Sequence, residues 1–206
     1  MRITGLVVSA ADVPAAQQAW SRLDAGLRIE VVEGDPALAG VVLSVADVEA
    51  TSRLLERRGV EVVGDRALVH GTTWLLRAEQ NRPDGALALD HVVVDSPDAV
   101  AATADFGGRL GLDLRLDRDT GFGFRGLFFR CGDAVVEVVV RDEPAASSSL
   151  SGAAWRCDVA ATRERLVAAG VDVSEIRRGR KPGTVVATVR DAGLGVPTLL
   201  VGPAAD

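Results

Sequence analysis

The chain alternates between two hydrophobic rhythms. The stretch "RITGLVVSA" (residues 2–10) is apolar with a period near two and predicts a strand. "ADVPAAQQAWSRL" (11–23) spaces its apolar residues at helical intervals, with Asp12 placed as an N-cap and Pro14 near the first turn. "LRIEVVEG" (27–34) returns to a strand. A second cycle begins at Leu38: strand "LAGVVLSV", helix "ADVEATSRLLERRG" with Asp47 as cap and Gly59 as terminator, then short strands "VEVV", "RALV" and "TTWLLRA", with turns at Gly64-Asp65 and His70-Gly71. A third runs "LDHVVVDS", helix "PDAVAATADFGGRLG", then strands "LDLRLDR", "FRGLFFRCG" and "AVVEVVVRD". The fourth runs "LSGAAWRCD", helix "VAATRERLVAAG", then strands "VDVSEIRR", "TVVATVRD" and "VPTLLVGP". The polar, turn-rich stretches "QNRPDGA" (80–86) and "EPAASSSLSG" (143–152) are the linkers.

Each unit is thus a strand, a helix and up to three further strands, the first being shortened to one strand after its helix. One unit cannot bury both faces of its sheet. Two paired units can, by setting their helices outside and curving their strands around a hollow. The expected fold is α+β, built of tandem βαβββ modules in cupped mixed sheets. Residues 1–79 form a truncated pair and residues 87–206 a better preserved pair. A length of 206 residues and 48% hydrophobic content suit a globular chain with a substantial core. A net charge of −6 argues against non-specific binding to nucleic acid or an anionic membrane, which needs a basic face. No run of apolar residues reaches the length of a membrane helix and the N-terminus lacks a signal-peptide pattern, so the expected location is the cytoplasm and the expected partner a small molecule, the protein acting as a monomer or homodimer. Cys131 and Cys157 form no metal spacing and read as two buried free thiols rather than a disulfide.

His91 stands in a run that otherwise reads as buried strand, where the other three units carry Gly5, Gly40 and Gly152. Together "LDHVVVDSPD", the following helix and "LFFRCGDAVVEVVV" resemble a module of the vicinal oxygen chelate superfamily, the group of glyoxalases, bleomycin-resistance proteins and extradiol dioxygenases. "GAAWRCDVAATRERLVAAGVDV" is similar to the module that follows it, and residues 1–79 look like a shortened second copy. The resemblance implies one divalent metal (zinc, iron, manganese or nickel) per module pair, with ligands on the first and last strands. His91 and Glu137 fall at two such places; Gly152 and Leu199 occupy the other two. In the N-terminal pair, Gly5 and Gly40 replace the first-strand ligands, Glu30 keeps a glutamate-like place, and Leu75 offers no carboxylate. The N-terminal pair is therefore expected to hold no metal and the C-terminal pair to be half intact.

Two protein ligands hold a divalent ion weakly, and catalytic zinc usually has three. His70 and Asp90 are the candidates for a third, although His70, in a hairpin turn, reads as an exposed histidine. His91 and Glu137 allow two catalytic readings: metal ligation, or a metal-free pair acting as hydrogen-bonded acid and base. A third reading makes them structural. Around them, Phe122, Phe124 and Phe128 form one period-two series with Phe129 opposite, either core or an apolar wall for a ligand, and "RRGRKPG" (177–183) puts Arg180 where it could latch an anionic group. Trp155, opposite Gly152 on its strand, is expected to pack against a helix.

Two functions follow. One is an enzyme acting on a small oxygenated molecule by lyase, isomerase or ring-cleaving chemistry, with or without metal. The other is a metal-free binding protein of the bleomycin-resistance kind, in which the three glycines would enlarge an apolar hollow.

Overall fold

A computed structural model describes residues 1–79, 83–121 and 123–204. Its elements follow the four cycles: β1 (Arg2–Ala10), α1 (Val13–Leu23) and β2 (Arg28–Glu33); β3 (Ala37–Val45), α2 (Val48–Arg57), β4 (Glu61–Val63), β5 (Arg66–Val69) and β6 (Thr72–Ala78); β7 (Ala88–Asp95), α3 (Ala99–Ala102), β8 (Asp113–Asp119), β9 (Phe124–Cys131) and β10 (Ala134–Arg141); β11 (Ser149–Arg156), α4 (Val159–Ala168), β12 (Arg177–Arg178), β13 (Thr184–Val189) and β14 (Thr198–Pro203). The first two units share a six-stranded sheet in the order β2-β1-β3-β6-β5-β4, and the last two an eight-stranded sheet in the order β12-β13-β14-β11-β7-β10-β9-β8. In every unit the last strand lies parallel to the first, and the first strands of paired units meet antiparallel at the centre (β1 with β3, β7 with β11). β2 takes the last-strand place of the shortened unit.

α1 and α2 start at the caps the sequence places, Asp12 and Asp47, and α3 and α4 are capped in the same way by Asp98 and Asp158. The Asp12, Asp47, Asp98 and Asp158 carboxylates each accept a backbone N–H of the first turn. Gly59, at φ 77, follows α2 as expected. On the sheets, period-two alternation separates a convex face, which packs on helices, from a concave one. In β7, Val92 and Val94 are fully buried on the helix side while His91 and Val93 are partly open. Val136 and Val138 on β10, with Leu127 and Phe129 on β9, extend the buried side. This convex layer joins that of the other sheet (Ile3, Leu6, Val8, Leu43, Trp74) in one hydrophobic cluster. Trp155 meets Trp20 of α1 edge-on at 6.0 Å, so it packs against a helix of the opposite pair. Arg165 of α4 donates to the carbonyls of Arg22 and Leu23, capping the C-terminus of α1.

Two elements differ from expectation. The third helix, read as continuous over 97–111, is one α-turn followed by a π-helical stretch, Thr103–Arg109, which contains Gly107 and Gly108. Two adjacent glycines weaken α-helical turns and let the backbone widen. "VDVSEIRR" is strand only at Arg177–Arg178. Upstream, Val173 makes a single bridge to Val189, and the Ser174 hydroxyl takes the Thr188 N–H that a regular ladder would use. Cys131 is buried, Cys157 is half-buried, and neither is in a disulfide. Burial pushes the Cys157 thiol up, so it stays protonated and unreactive at neutral pH. Among the described residues no helix is long and apolar enough to cross a membrane.

Candidate functional site

His91 and Glu137 lie on adjacent parallel strands, with His91 beside Val135 and Glu137 two residues further along β10. Both side chains point to the concave face. His91 Nε2 approaches Glu137 Oε2 at 3.2 Å, with the side chains only 20% and 14% exposed. On the other side of the ring, Nδ1 is 2.9 Å from Asp90 Oδ2. Asp90 and His91 are neighbours in sequence, yet both reach the same network, because the β7–β11 register shifts between the His91 and Leu89 pairs. Asp90 Oδ1 continues to Arg156 at 3.3 Å. A carboxylate–imidazole–carboxylate–guanidinium chain therefore runs from the floor of the cup to its rim. The His91 hydrogen bond holds the Asp90 carboxyl below the usual carboxylate range, helped by the charges of His91, Arg156 and Lys181 and opposed by burial. Asp90 is thus ionised at neutral pH.

The donor set does not fit a tightly held metal. His91 and Glu137 offer two donors, Asp90 engages the ring nitrogen facing away from Glu137, and among the described residues no cluster of three His, Cys, Asp or Glu side chains forms a cation cage. The mirror-related places in the partner module hold Gly152 and Leu199. A methyl group added at Gly152 would lie 2.9 Å from the Pro197 carbonyl oxygen, so the position is closed by backbone. His70, the other candidate third ligand, is not an exposed turn residue. It lies in the expected turn, with φ 51, but its side chain is 5% exposed. Nδ1 is 2.8 Å from Asp105 Oδ2 and Nε2 is 2.8 Å from Ser96 Oγ. It also packs on the Phe106 ring at 5.6 Å, so it ties the β5–β6 turn to the third unit.

The glycines do not enlarge a cavity. At Gly40 an added methyl would meet Leu75 Cδ1 at 2.9 Å, and at Gly5 the Arg28 carbonyl oxygen at 3.0 Å and Val42 at 3.1 Å. They are sites of close approach, and Val7, Val42 and Leu75, with Val32 against them, fill the N-terminal cup as a small core. Glu30 stands at the place corresponding to Glu137, two residues beyond the one paired with Gly5, and is exposed.

Phe128 pairs directly with Glu137, and Phe124 lies four residues earlier on the same face; Phe129 is buried on the opposite face. Phe122 is outside the described residues. The Phe128 ring lies over Gly126. Arg180, at the tip between β12 and β13, places its guanidinium 4.9 Å from the centre of the Phe124 ring. β13 and β9 are five strand steps apart, roughly 24 Å in a flat sheet at about 4.8 Å per step. The sheet therefore curls far enough to bring the β12–β13 turn of one wing onto the Phe124 ring of the other. Arg156, which anchors Asp90, was not singled out by the sequence; its only signal was a basic residue closing the strand "SGAAWR".

No family model matches the chain, and no curated protein matches it in sequence. Solved structures do resemble it. An Mn(II)-bound glyoxalase from Novosphingobium aromaticivorans gives a TM-score of 0.76 at 14% identity, over 98% of this chain and 81% of that one. A triple mutant of 4-hydroxymandelate synthase from Streptomyces coelicolor gives 0.77 at 10% identity, over 100% and 93%. A halotolerant catechol dioxygenase gives 0.75 at 12% identity, over 100% and 88%. At such identities the likeness concerns architecture and leaves activity to the site itself. The chain thus shares the overall fold of these structures, with its four units paired into two sheets.

Proposed function

We propose that the C-terminal cup is a metal-independent acid–base site that moves a proton on a small oxygenated molecule, in a lyase- or isomerase-type reaction. The observation that carries this reading is the 3.2 Å contact of His91 with Glu137 on the concave face, with Asp90 on the opposite ring nitrogen. An ionised Asp90 accepts only, so Nδ1 carries a proton towards it. Nε2 without a proton is an acceptor, as is a carboxylate, and two acceptors repel at that distance. A second proton therefore belongs to the Nε2–Glu137 pair. Glu137 with this proton is a general acid, and without it a general base, while His91 stores or returns the proton and Asp90 stabilises the imidazolium. A substrate with a C–H or O–H beside a carbonyl suits this exchange. The apolar wall of Phe124 and Phe128 orients it, and the curled sheet limits water. A metal-assisted or ring-cleaving reaction is less favoured because the ligand set stops at two. Sequestration without turnover loses its support, since the glycines are packed.

The reading is tested by incubating the protein in D2O with a panel of small 2-oxo and 2-hydroxy acids and following deuterium uptake beside the carbonyl by NMR. Uptake is expected with at least one compound, unchanged by a chelator, and lower by about a hundredfold or more in Glu137→Gln and His91→Ala. Uptake that survives both substitutions, or that disappears with the chelator, contradicts it.

A further inference from the structure

The contact between Arg180 and Phe124 closes a ring of strands. Arg180 lies in the turn that leads into β13, Phe124 begins β9, and the sheet order places β14, β11, β7 and β10 between them. His91 on β7 and Glu137 on β10 point into the concave face of the strands so enclosed. The closure continues inwards from the Phe124 ring. Phe124 and Phe128 share one face of β9 with Gly126 between them, and both rings converge on the space a side chain at Gly126 would fill. A methyl group added there would lie 2.9 Å from Phe128 Cε2 and 3.7 Å from Phe124 Cε2. Phe128 in turn pairs directly with Glu137. A row of neighbours thus runs from the tip of one wing, across two aromatic rings, to the carboxyl group of the dyad.

The tip is fixed at its foot and lightly held at its end. β12 has two residues, Arg177 paired with Val186 and Arg178 with Val185. Beyond them, the Gly179 N–H donates to the Thr184 carbonyl and the Ala204 N–H to the Gly183 carbonyl, each at 2.8 Å. From Arg177 to Gly183 every residue except the half-buried Gly179 is exposed. A segment without buried side chains opens at far lower cost than the strands of the core. Phe124, by contrast, is 4% exposed. The turn is therefore built as a hinged cover, hydrogen-bonded at its base and docked through Arg180 on a buried ring.

We propose that the β12–β13 turn is the gate of the C-terminal cup, shut by Arg180 on Phe124 and opened by their separation, which frees the two rings to move aside from Glu137 and admit a ligand. This rests on the cup being the functional site. A cation–ring contact at an exposed position shifts the balance between shut and open by roughly two- to fivefold. The gate can therefore open without unfolding any strand of the cup. Gly126 belongs to the device, because a position without a side chain leaves Phe128 room to lie beside Phe124 when the gate is shut.

The test needs neither a substrate nor turnover. Diethyl pyrocarbonate modifies a histidine ring that it can reach, and the chain has two histidines. His70, held by Ser96 and Asp105, serves as the internal reference. With modification followed by mass spectrometry, Arg180→Ala and Phe124→Leu are each expected to speed the reaction of His91 by roughly two- to fivefold while His70 reacts at its usual rate. Both substitutions break the same latch, so the double variant should be no faster than the faster single variant. Arg180→Lys keeps a cation for the ring and should fall between the native protein and Arg180→Ala. An unchanged His91 rate in Arg180→Ala, His91 and His70 accelerating together, or single effects that multiply in the double variant overturns the gate. The two readings fail separately. Absent deuterium uptake with the expected modification pattern removes the acid–base chemistry and keeps the gate, whereas intact uptake with unmoved His91 rates removes the gate alone.

Discussion

The two cups of this molecule share one backbone plan and differ in what the plan holds. In both, the first strands of paired units cross antiparallel and each last strand runs parallel beside its own first strand. Four pairs of equivalent places result: Gly5 with Glu30, Gly40 with Leu75, His91 with Glu137, and Gly152 with Leu199. Only one pair brings titratable groups into contact. In the N-terminal cup, glycine lets Leu75 and Val42 close over the centre, and Val7 joins them in a small core. The difference teaches that glycine at these places is an instruction to pack, and that a titratable contact forms where a module keeps both members of a pair. A lone survivor, Glu30 on a strand whose neighbour is glycine, faces solvent.

The largest expected effect breaks the asymmetry at the His91–Glu137 pair. Glu137→Gln lowers proton-transfer activity by about a hundredfold or more, whereas Glu30→Gln at the matching place leaves it unchanged; deuterium uptake by both variants reads this directly. Next comes the reverse experiment in the N-terminal cup. Leu75→Ala removes a buried side chain from its small core and lowers unfolding free energy by about 2–4 kcal/mol, with the activity per folded molecule retained. Denaturant titration and rate measurement on the same sample show whether the two cups are separable. Rebuilding the missing ligand by Gly152→His should fail. The new Cβ meets the Pro197 carbonyl, and the cost of about 1–3 kcal/mol is expected without any gain in zinc or manganese affinity. Tight metal binding by this variant would show that the site was one ligand short of complete.

Smaller again is the pH dependence of the Asp90 link. Its folded pKa is depressed, so its contribution is complete above the ordinary aspartate value of about 3.9 and is lost as pH falls through the lower folded value. Asp90→Asn should remove that acid-limb dependence and leave stability at pH 7 slightly reduced, as seen in thermal unfolding from pH 2 to 7. An identical acid limb in the variant would show that Asp90 is not the linked group.

Much of this was legible in the chain. Strand-then-helix periodicity repeated four times, with Asp12 and Asp47 at cap positions, fixes the repeat, because caps and periodicity are local physics. The His91–Glu137 meeting also follows locally, from period two on β7 and β10 once those strands are neighbours. What escaped the sequence depends on distant partners. His70 looks like a solvent-facing turn residue, and only the fold brings Ser96 and Asp105 against its two nitrogens. The glycines look like vacated ligand sites, and only the fold shows Pro197, Leu75 and Val42 pressed against them. "VDVSEIRR" alternates like a strand, yet Ser174 diverts the Thr188 N–H from the ladder.

The central claim is that His91 shares a proton with Glu137 in a cup that needs no metal. The chain has two histidines, so 15N-histidine labelling gives two assignable rings. In metal-free protein at neutral pH, the account predicts a proton on His91 Nδ1 and an Nε2 resonance that moves markedly in Glu137→Gln while His70 stays fixed. An Nε2 signal unmoved by that substitution, or one that changes only when zinc or manganese is added, would contradict it.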